Sequence, residues 1–163
     1  MNKIAIKPIG VIHTPFKEAA GTPIQPAKGK GRKGWVELET AYVDGLKDLD
    51  GFERIWVLFW CDRADAYKLH VKPYMDTQIR GLFATRAPSR PNPIGISCVK
   101  LLGVTGNKIE IEDVDMLDGT PLLDIKPYIA KFDTFAVQRS GWTDTVVDEN
   151  TNADNRFFKE EDK

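Results

Sequence analysis

The stretch from Ile96 to Val114, which reads ISCVKLLGVTGNKIEIEDV, determines the expected fold of this chain. It contains two segments rich in aliphatic residues, Ile96–Val104 and Ile109–Val114, separated by the turn residues Thr105-Gly106-Asn107. A Gly-containing turn between two such segments is typical of a β-hairpin. We therefore predict two antiparallel strands here.

Short apolar segments between Gly, Pro, Asn and Asp residues recur along the chain. Further strands are predicted at Ile4–Ile12, Trp35–Glu39, Ile55–Cys61, Gly81–Phe83 and Leu122–Tyr128. Helical patterns are short, at Asp44–Leu49 and Asp65–Leu69. No glycine-rich turn joins a strand to a long helix, which argues against a Rossmann-type nucleotide site. The pattern predicts a mostly β protein: a small β-barrel with a few short helices.

The bulk properties of the chain suit one folded domain followed by a tail. The chain has 163 residues, of which 42% are hydrophobic, enough for one hydrophobic core. We predict a barrel domain over residues 1–143 and an acidic tail over residues 144–163. The tail is poor in core residues apart from Phe157 and Phe158, which we expect to dock on the barrel or on a partner subunit.

Charge, cysteine and histidine usage narrow the possible partners. The formal net charge is −1, so contact with RNA requires a local basic patch. Cys61 and Cys98 lie in apolar runs, which favours buried thiols over a disulfide or a metal site. His13 and His70 have no neighbouring ligands at metal-site spacing, so we expect no metal. No apolar stretch approaches the length of a membrane span, which predicts a cytoplasmic protein without a membrane partner.

The segment Ala84–Ser97, with sequence ATRAPSRPNPIGIS, combines two arginines with three prolines. Proline stiffens the backbone, and the guanidinium groups of Arg86 and Arg90 offer rigid donor forks. This combination suits recognition of a carboxylate or a phosphate. A structural loop with solvated arginines is the alternative, and the composition alone does not separate the two.

Two other segments have the composition of binding loops. In Asp115–Tyr128, the Asp118-Gly119 pair predicts a turn, after which Asp124, Lys126 and Tyr128 would share one face of a strand. These three polar groups either line a pocket or form an exposed strand face. The segment 21–33 joins a proline-fixed loop to the basic run KGKGRK, which either meets a phosphate backbone or is a mobile solvated loop.

Together with Ile9–Phe16 and Phe83–Arg86, these segments resemble the TrmO (TsaA-like) family from about Ile4 to Tyr128. The resemblance implies a β-barrel that dimerises and binds S-adenosylmethionine near the dimer interface. It also implies methylation of N6 of threonylcarbamoyl-adenosine at position 37 of tRNA, beside the anticodon. The chain departs from the family at residues 24 and 62–63, where bacterial members often carry Arg and His-Gln. Longer members also have a C-terminal domain that contributes to tRNA recognition.

The resemblance assigns roles to individual positions. The cofactor-binding candidates are Pro23, Ile24, Gln25, Asp62, Arg63, Arg86, Ile96, Asp118, Gly119, Thr120 and Pro121. The RNA-binding candidates are the basic residues Lys28, Lys30, Arg32, Lys33, Arg90 and Lys126. Asp124 and Tyr128 are the candidate catalytic proton acceptors, provided that they face the pocket, and a solvent relay is the alternative. A non-catalytic S-adenosylmethionine-binding module and a small-molecule methyltransferase remain alternative functions.

Overall fold

Six strands of the chain close into an antiparallel barrel in the order β1-β2-β7-β6-β3-β8. The computed structural model describes residues 4–147 and 152–159. The strands within these ranges are β1 Gly10–His13, β2 Lys33–Leu38, β3 Arg54–Trp60, β4 His70–Val71, β5 Arg80–Gly81, β6 Ile94–Thr105, β7 Lys108–Glu112 and β8 Thr120–Pro127. Strands β4 and β5 form a separate two-stranded ladder. The predicted mostly β barrel is thereby confirmed.

The barrel interior is filled by aliphatic side chains that alternate along the strands. In β2, Val36 and Leu38 are buried while Glu37 between them is exposed. The same alternation places Ile109 and Ile111 of β7 inside the barrel. Burying a side chain of this size contributes about 1.5–3 kcal/mol relative to exposure. This repeated contribution explains why a period-two pattern fixes the register of the strands.

The predicted hairpin is present, and its turn is short. Thr105 pairs with Lys108 across the two-residue connection Gly106-Asn107. Gly106 has φ 59°, a left-handed conformation that glycine adopts without a steric penalty. Strand β6 is longer than the sequence predicts because it begins at Ile94.

Some predicted strands are shorter or absent in the structure. The segment predicted to begin at Ile4 becomes a strand only at Gly10, which pairs with Leu38 at the end of β2. Residues 4–8 pair with no strand of the described chain, and Ile4 is exposed. The predicted strand Gly81–Phe83 was wrong for its last two residues, since a 3₁₀ turn begins at Leu82.

The helical elements are all short. One α-helix spans Ala130–Asp133, and the 3₁₀ segments are Pro26–Lys28, Thr40–Leu46, Leu49–Gly51, Leu82–Ala84, Gly141–Thr145 and Asn155–Phe157. The helix predicted at Asp44–Leu49 thus corresponds to two 3₁₀ segments that overlap it. The helix predicted at Asp65–Leu69 does not form. In the described part of the chain, no helix combines the length and the apolar character needed to cross a membrane.

The strand order brings the candidate binding segments to one end of the barrel. The register pairs His13 with Trp35, Trp60 with Ile94, and Ile12 with Thr120. The connections 14–32, 61–93 and 113–119 therefore all leave from this end. All three segments singled out in the sequence contribute to these connections.

The C-terminal residues 152–159 return to the same end of the barrel. Phe157 is 6% exposed and packs against Val71, Leu82 and Ala87. The Ser89 hydroxyl donates to the Phe157 carbonyl oxygen at 2.8 Å. The phenylalanine pair therefore docks on its own chain. Residues 148–151 and 160–163 of the predicted acidic tail lie outside the described residues, and the domain boundary at residue 144 stays a prediction.

Candidate functional site

A cavity of about 870 Å³ opens at the end of the barrel where the three long connections meet. Its walls come from the end of β3, the start of β6, the connections around residues 22–25, 83–90 and 115–117, and the C-terminal segment. Small-molecule sites typically measure about 300–1,000 Å³. The cavity therefore has the size of a site for a nucleoside-sized ligand.

Arg86 lies at the wall of this cavity and connects two of its loops. The Arg86 Nη1 atom donates a hydrogen bond to the side-chain oxygen of Gln25. The Arg86 side chain is otherwise exposed, and its remaining donors make no hydrogen bond with the described residues. A free guanidinium edge beside a cavity can hold a carboxylate through charge-assisted hydrogen bonds.

Arg63 connects the end of β3 to the turn that precedes β8. Its Nη2 atom donates to the Asp118 carbonyl oxygen at 2.8 Å and to the Thr120 hydroxyl oxygen at 3.2 Å. Its Nε atom is buried and has no hydrogen-bond partner among the described residues. A buried donor without a partner costs about 1–3 kcal/mol. A polar ligand atom that reached this nitrogen would remove that cost.

The apolar part of the cavity depends on a close approach between two strands. The Phe59 ring lies over Gly95, where a Cβ atom would come within 2.2 Å of the ring. Only glycine leaves room for Phe59 in this orientation. Phe59, Ile96 and Met116 give the cavity an apolar surface against which a flat ring can pack.

Arg90 and Phe83 form a stacked pair on the same loop. The Arg90 Nη1 atom donates to the Thr85 carbonyl oxygen at 3.1 Å and makes longer contacts with the carbonyl oxygens of Leu82 and Ala87. Its guanidinium lies 5.6 Å from the centre of the Phe83 ring, and that ring is 73% exposed. Arg90 therefore holds the loop together, and Phe83 presents an aromatic surface at the cavity.

Asp115 is a cavity residue that the sequence analysis missed. The Ser97 hydroxyl donates to its Oδ1 atom at 2.6 Å. Burial raises the pKa of Asp115 to about 7, against the opposing effects of the Ser97 hydrogen bond and the Arg86 charge. The sequence does contain a signal for this site: Ser97 takes an inward position in line with Val99 and Leu101 of β6. A polar residue at such a position requires a polar partner.

The structure brings together most of the predicted cofactor-binding residues. Those that line the cavity are Pro23, Ile24, Gln25, Asp62, Arg63, Arg86, Ile96 and Thr120. The other three, Asp118, Gly119 and Pro121, do not line it. Asp118 instead lines a smaller cavity of about 430 Å³, where Lys17 and His13 approach its carboxylate.

The predicted catalytic pair lies away from the cavity. Asp124 forms an ion pair with Lys126 at 2.7 Å, so these side chains share one face of β8, as predicted. Tyr128 contacts Thr134 at 3.0 Å near the opposite end of the barrel. It follows Thr120 by eight residues, roughly 26 Å of extended strand. The chain's own cavity therefore does not receive Asp124 or Tyr128.

The basic candidates divide into two groups. Lys30 and Arg32 are exposed on the connection that leaves the cavity end of the barrel, to which Lys28 also belongs, and the exposed Lys33 begins β2. Arg90 lines the cavity, whereas Lys126 lies near the opposite end of β8. The described residues include no group of three or more His, Cys, Asp or Glu side chains arranged to hold a metal ion.

A closed barrel with a cavity at one end, lined by arginines and by an apolar wall, is typical of a small-ligand-binding β-barrel protein. The chain belongs to the family of the tRNA-methyltransferase O N-terminal domain, whose model matches residues 11–134.

Curated relatives extend this family assignment across species. A probable S-adenosyl-L-methionine-binding protein of Pyrococcus abyssi is 48% identical over 95% of this chain and 85% of its own length. A tRNA (adenine(37)-N6)-methyltransferase of Mus musculus is 36% identical over 78% of this chain and 31% of its own length.

A solved structure shows the same fold. The crystal structure of TrmO from Pseudomonas aeruginosa matches with a TM-score of 0.73 and 35% identity, over 86% of this chain. The chain spans 63% of the length of that protein.

Proposed function

We propose that this protein binds S-adenosylmethionine in the cavity and transfers its methyl group to N6 of threonylcarbamoyl-adenosine at position 37 of tRNA. The observation that carries the proposal is the cavity of about 870 Å³ that joins the Arg86 fork, the Phe59 surface and the Arg63 Nε atom, which makes no hydrogen bond with the described residues. The family assignment and the names of the relatives support the same chemistry.

The residues present fit this cofactor in charge and shape. Arg86 is suited to hold the methionyl carboxylate, since a guanidinium forms paired hydrogen bonds with a carboxylate. Arg63 Nε offers a donor to a second polar atom, and Phe59 with Ile96 offers an apolar surface for the adenine ring. When bound, S-adenosylmethionine supplies a methyl group on a positively charged sulfur. The protein's task is then to orient the acceptor nitrogen in line with that methyl group.

The acceptor side of the site is suited to single-stranded RNA. Lys30, Arg32 and Lys33 form an exposed local basic patch. Because the net charge of the chain is −1, contact with RNA phosphates requires such a patch. The exposed Phe83 ring offers a stacking surface for a base that leaves the anticodon loop. The proposal therefore places RNA on the outer side of the cavity.

We further propose that the protein acts as a homodimer in the cytoplasm. Phe132, Phe135 and Val137 lie close together in sequence and are exposed by 62%, 75% and 70%. An apolar surface of this kind suits burial against a second subunit. Light scattering should then report twice the chain mass of 18.3 kDa. A monomer that binds the cofactor tightly at micromolar concentration would contradict a cofactor site at the dimer interface, which the family resemblance implies.

A methyl-transfer assay with labelled S-adenosylmethionine tests the function. The acceptors are total tRNA with and without the threonylcarbamoyl group, and the expected result is label only in the modified tRNA. Equal labelling of both tRNA preparations would agree with adenine methylation and refute the requirement for the threonylcarbamoyl group. Cofactor binding without any transfer to tRNA would favour the binding module, which the name of the Pyrococcus relative also fits.

A further inference from the structure

The Asp115 carboxylate lies at the cavity wall in a fixed position. It is held by the Ser97 hydroxyl at 2.6 Å, and Ser97 is 2% exposed inside the barrel. The two residues come from different segments: Ser97 from β6 and Asp115 from the connection between β7 and β8. A carboxylate held by a buried side chain on a separate strand keeps its orientation when a ligand enters.

The charged and titratable groups around Asp115 leave it as the best-placed proton acceptor. Arg86 also lines the cavity, and its charge lowers the pKa of Asp115. Burial, together with the charges of Asp62 and Asp115, raises the pKa of the Cys61 thiol to about 12 against the effect of Arg90, so the thiol stays protonated near neutral pH. Asp62 also lines the cavity, but its side chain is 41% exposed and lies 3.7 Å from Arg63. Asp115 is the more enclosed of these two carboxylates.

The direction in which charge moves during the reaction decides where a carboxylate is useful. Positive charge leaves sulfur and develops on the acceptor nitrogen as the methyl group moves. A carboxylate beside the sulfur would stabilise the starting state more than the transition state, and would slow transfer. A carboxylate beside the nitrogen would stabilise the developing charge and receive the proton.

We propose that Asp115 accepts the proton that the acceptor nitrogen loses during methyl transfer, and that Ser97 is its positioning residue. This assignment rests on the proposed function. The nitrogen forms a bond to the methyl carbon while the carbon–sulfur bond breaks and its electron pair stays on sulfur. The nitrogen–hydrogen electron pair stays on nitrogen, and the proton moves to the Asp115 carboxylate. The pKa of about 7 allows Asp115 to accept a proton and release it again at neutral pH.

The variants D115N, S97A and E112Q test the assignment with threonylcarbamoylated tRNA and saturating cofactor. D115N should lower kcat on the order of 10²-fold or more while binding S-adenosylhomocysteine like the parent, which also reports correct folding. Parent activity should rise with pH through about 7. S97A removes a hydrogen bond that lowers the pKa of Asp115, so its profile should shift to higher pH. E112Q is the control, because Glu112 ends β7 and does not line the cavity.

Each alternative result has a defined meaning. An undiminished kcat in D115N would overturn the assignment of Asp115 as proton acceptor. If the parent protein still transferred methyl to tRNA, the proposed function would stand. D115N could instead weaken S-adenosylmethionine binding far more than S-adenosylhomocysteine binding, with kcat unchanged at saturation. Asp115 would then act as a counter-charge to the sulfur, and its assignment as proton acceptor would be overturned. An unshifted pH profile in S97A would remove the positioning role. A parent protein that transferred no methyl to tRNA would refute the proposed function and this assignment together.

Discussion

The barrel interior and the cavity wall are built on different principles. Interior side chains such as Ile55 and Val57 are fully buried among aliphatic neighbours, and backbone ladders join their strand β3 to β6 and β8. The wall is assembled from segments far apart in sequence, which are joined by a few hydrogen bonds such as Ser89 to Phe157 and Arg63 to Asp118. Changes in the interior should therefore affect the whole fold, whereas changes in the wall should affect local order and ligand binding.

Ile55→Ala should give the largest effect on stability. Truncation of a buried isoleucine removes apolar contacts and leaves a cavity, at a cost of about 2–5 kcal/mol. Leu102→Ala is the matched control, because Leu102 is 42% exposed. It should change the free energy of unfolding by about 0.5 kcal/mol or less. Urea unfolding of both variants checks the difference, and equal losses would contradict the account of the interior.

Phe157→Ala should release the C-terminal segment from the wall. The residue is 6% exposed and meets the Tyr74 ring edge-on at 5.1 Å between centroids. Because this segment contributes no strand to the barrel, we expect amide exchange to accelerate at Gly21 and Ala153, whose backbone amides donate hydrogen bonds between the segment and the connection 14–32. S-adenosylhomocysteine binding should weaken at least about tenfold, about 1.4 kcal/mol. Ile79→Ala, at a 71% exposed position, is the control. Unchanged amide exchange and unchanged S-adenosylhomocysteine binding in Phe157→Ala would show that the C-terminal segment does not contribute to the site.

The two arginines of the proline-rich loop should differ in what they support. Arg86→Ala should weaken cofactor binding by about 1.5–3 kcal/mol, because a charge-assisted contact is lost. From the sequence we expected Arg90 to bind RNA, but in the structure it donates hydrogen bonds to carbonyl oxygens of its own loop. We therefore expect Arg90→Ala to loosen the loop and weaken cofactor and RNA binding together. If the slope of log RNA affinity against log salt concentration decreased in magnitude by nearly one unit in this variant, the result would instead support a phosphate contact.

Asp115→Asn should give an effect of the opposite sign, a gain in stability that depends on pH. Burial raises the pKa of Asp115 from 3.8 to about 7, so the folded protein keeps a proton that the unfolded chain releases between these values. Parent stability should fall as pH rises across this window, and Asn removes that loss. Thermal unfolding above pH 7 should show a higher midpoint for the variant, by roughly 2–4 °C per kcal/mol. A lower midpoint at pH 8 would show that the ionised carboxylate stabilises the fold.

The sequence predicted the strands of the barrel well where buried and exposed residues alternate, and poorly where strand formation depends on pairing with a neighbouring segment. The segment at Trp35–Glu39 and the hairpin around Gly106 carry local patterns that suffice for a strand and a turn. Ile4 carries a comparable alternation but lies beyond the end of the neighbouring strand, so it has no pairing partner. Pairing is a property of two segments, and one segment's pattern does not contain it.

For the site, the sequence by itself determined the residue types and the family, and with them Arg86, Gln25 and Arg63 as cavity residues. Only the tertiary structure placed Asp115 against Ser97, directed Arg90 to carbonyl oxygens and carried Tyr128 to the far end of the barrel. The physical reason is the alternation of strand side chains together with barrel closure. The first fixes which side chains share a face, as for Asp124 and Lys126. The second decides which of those faces reaches the cavity.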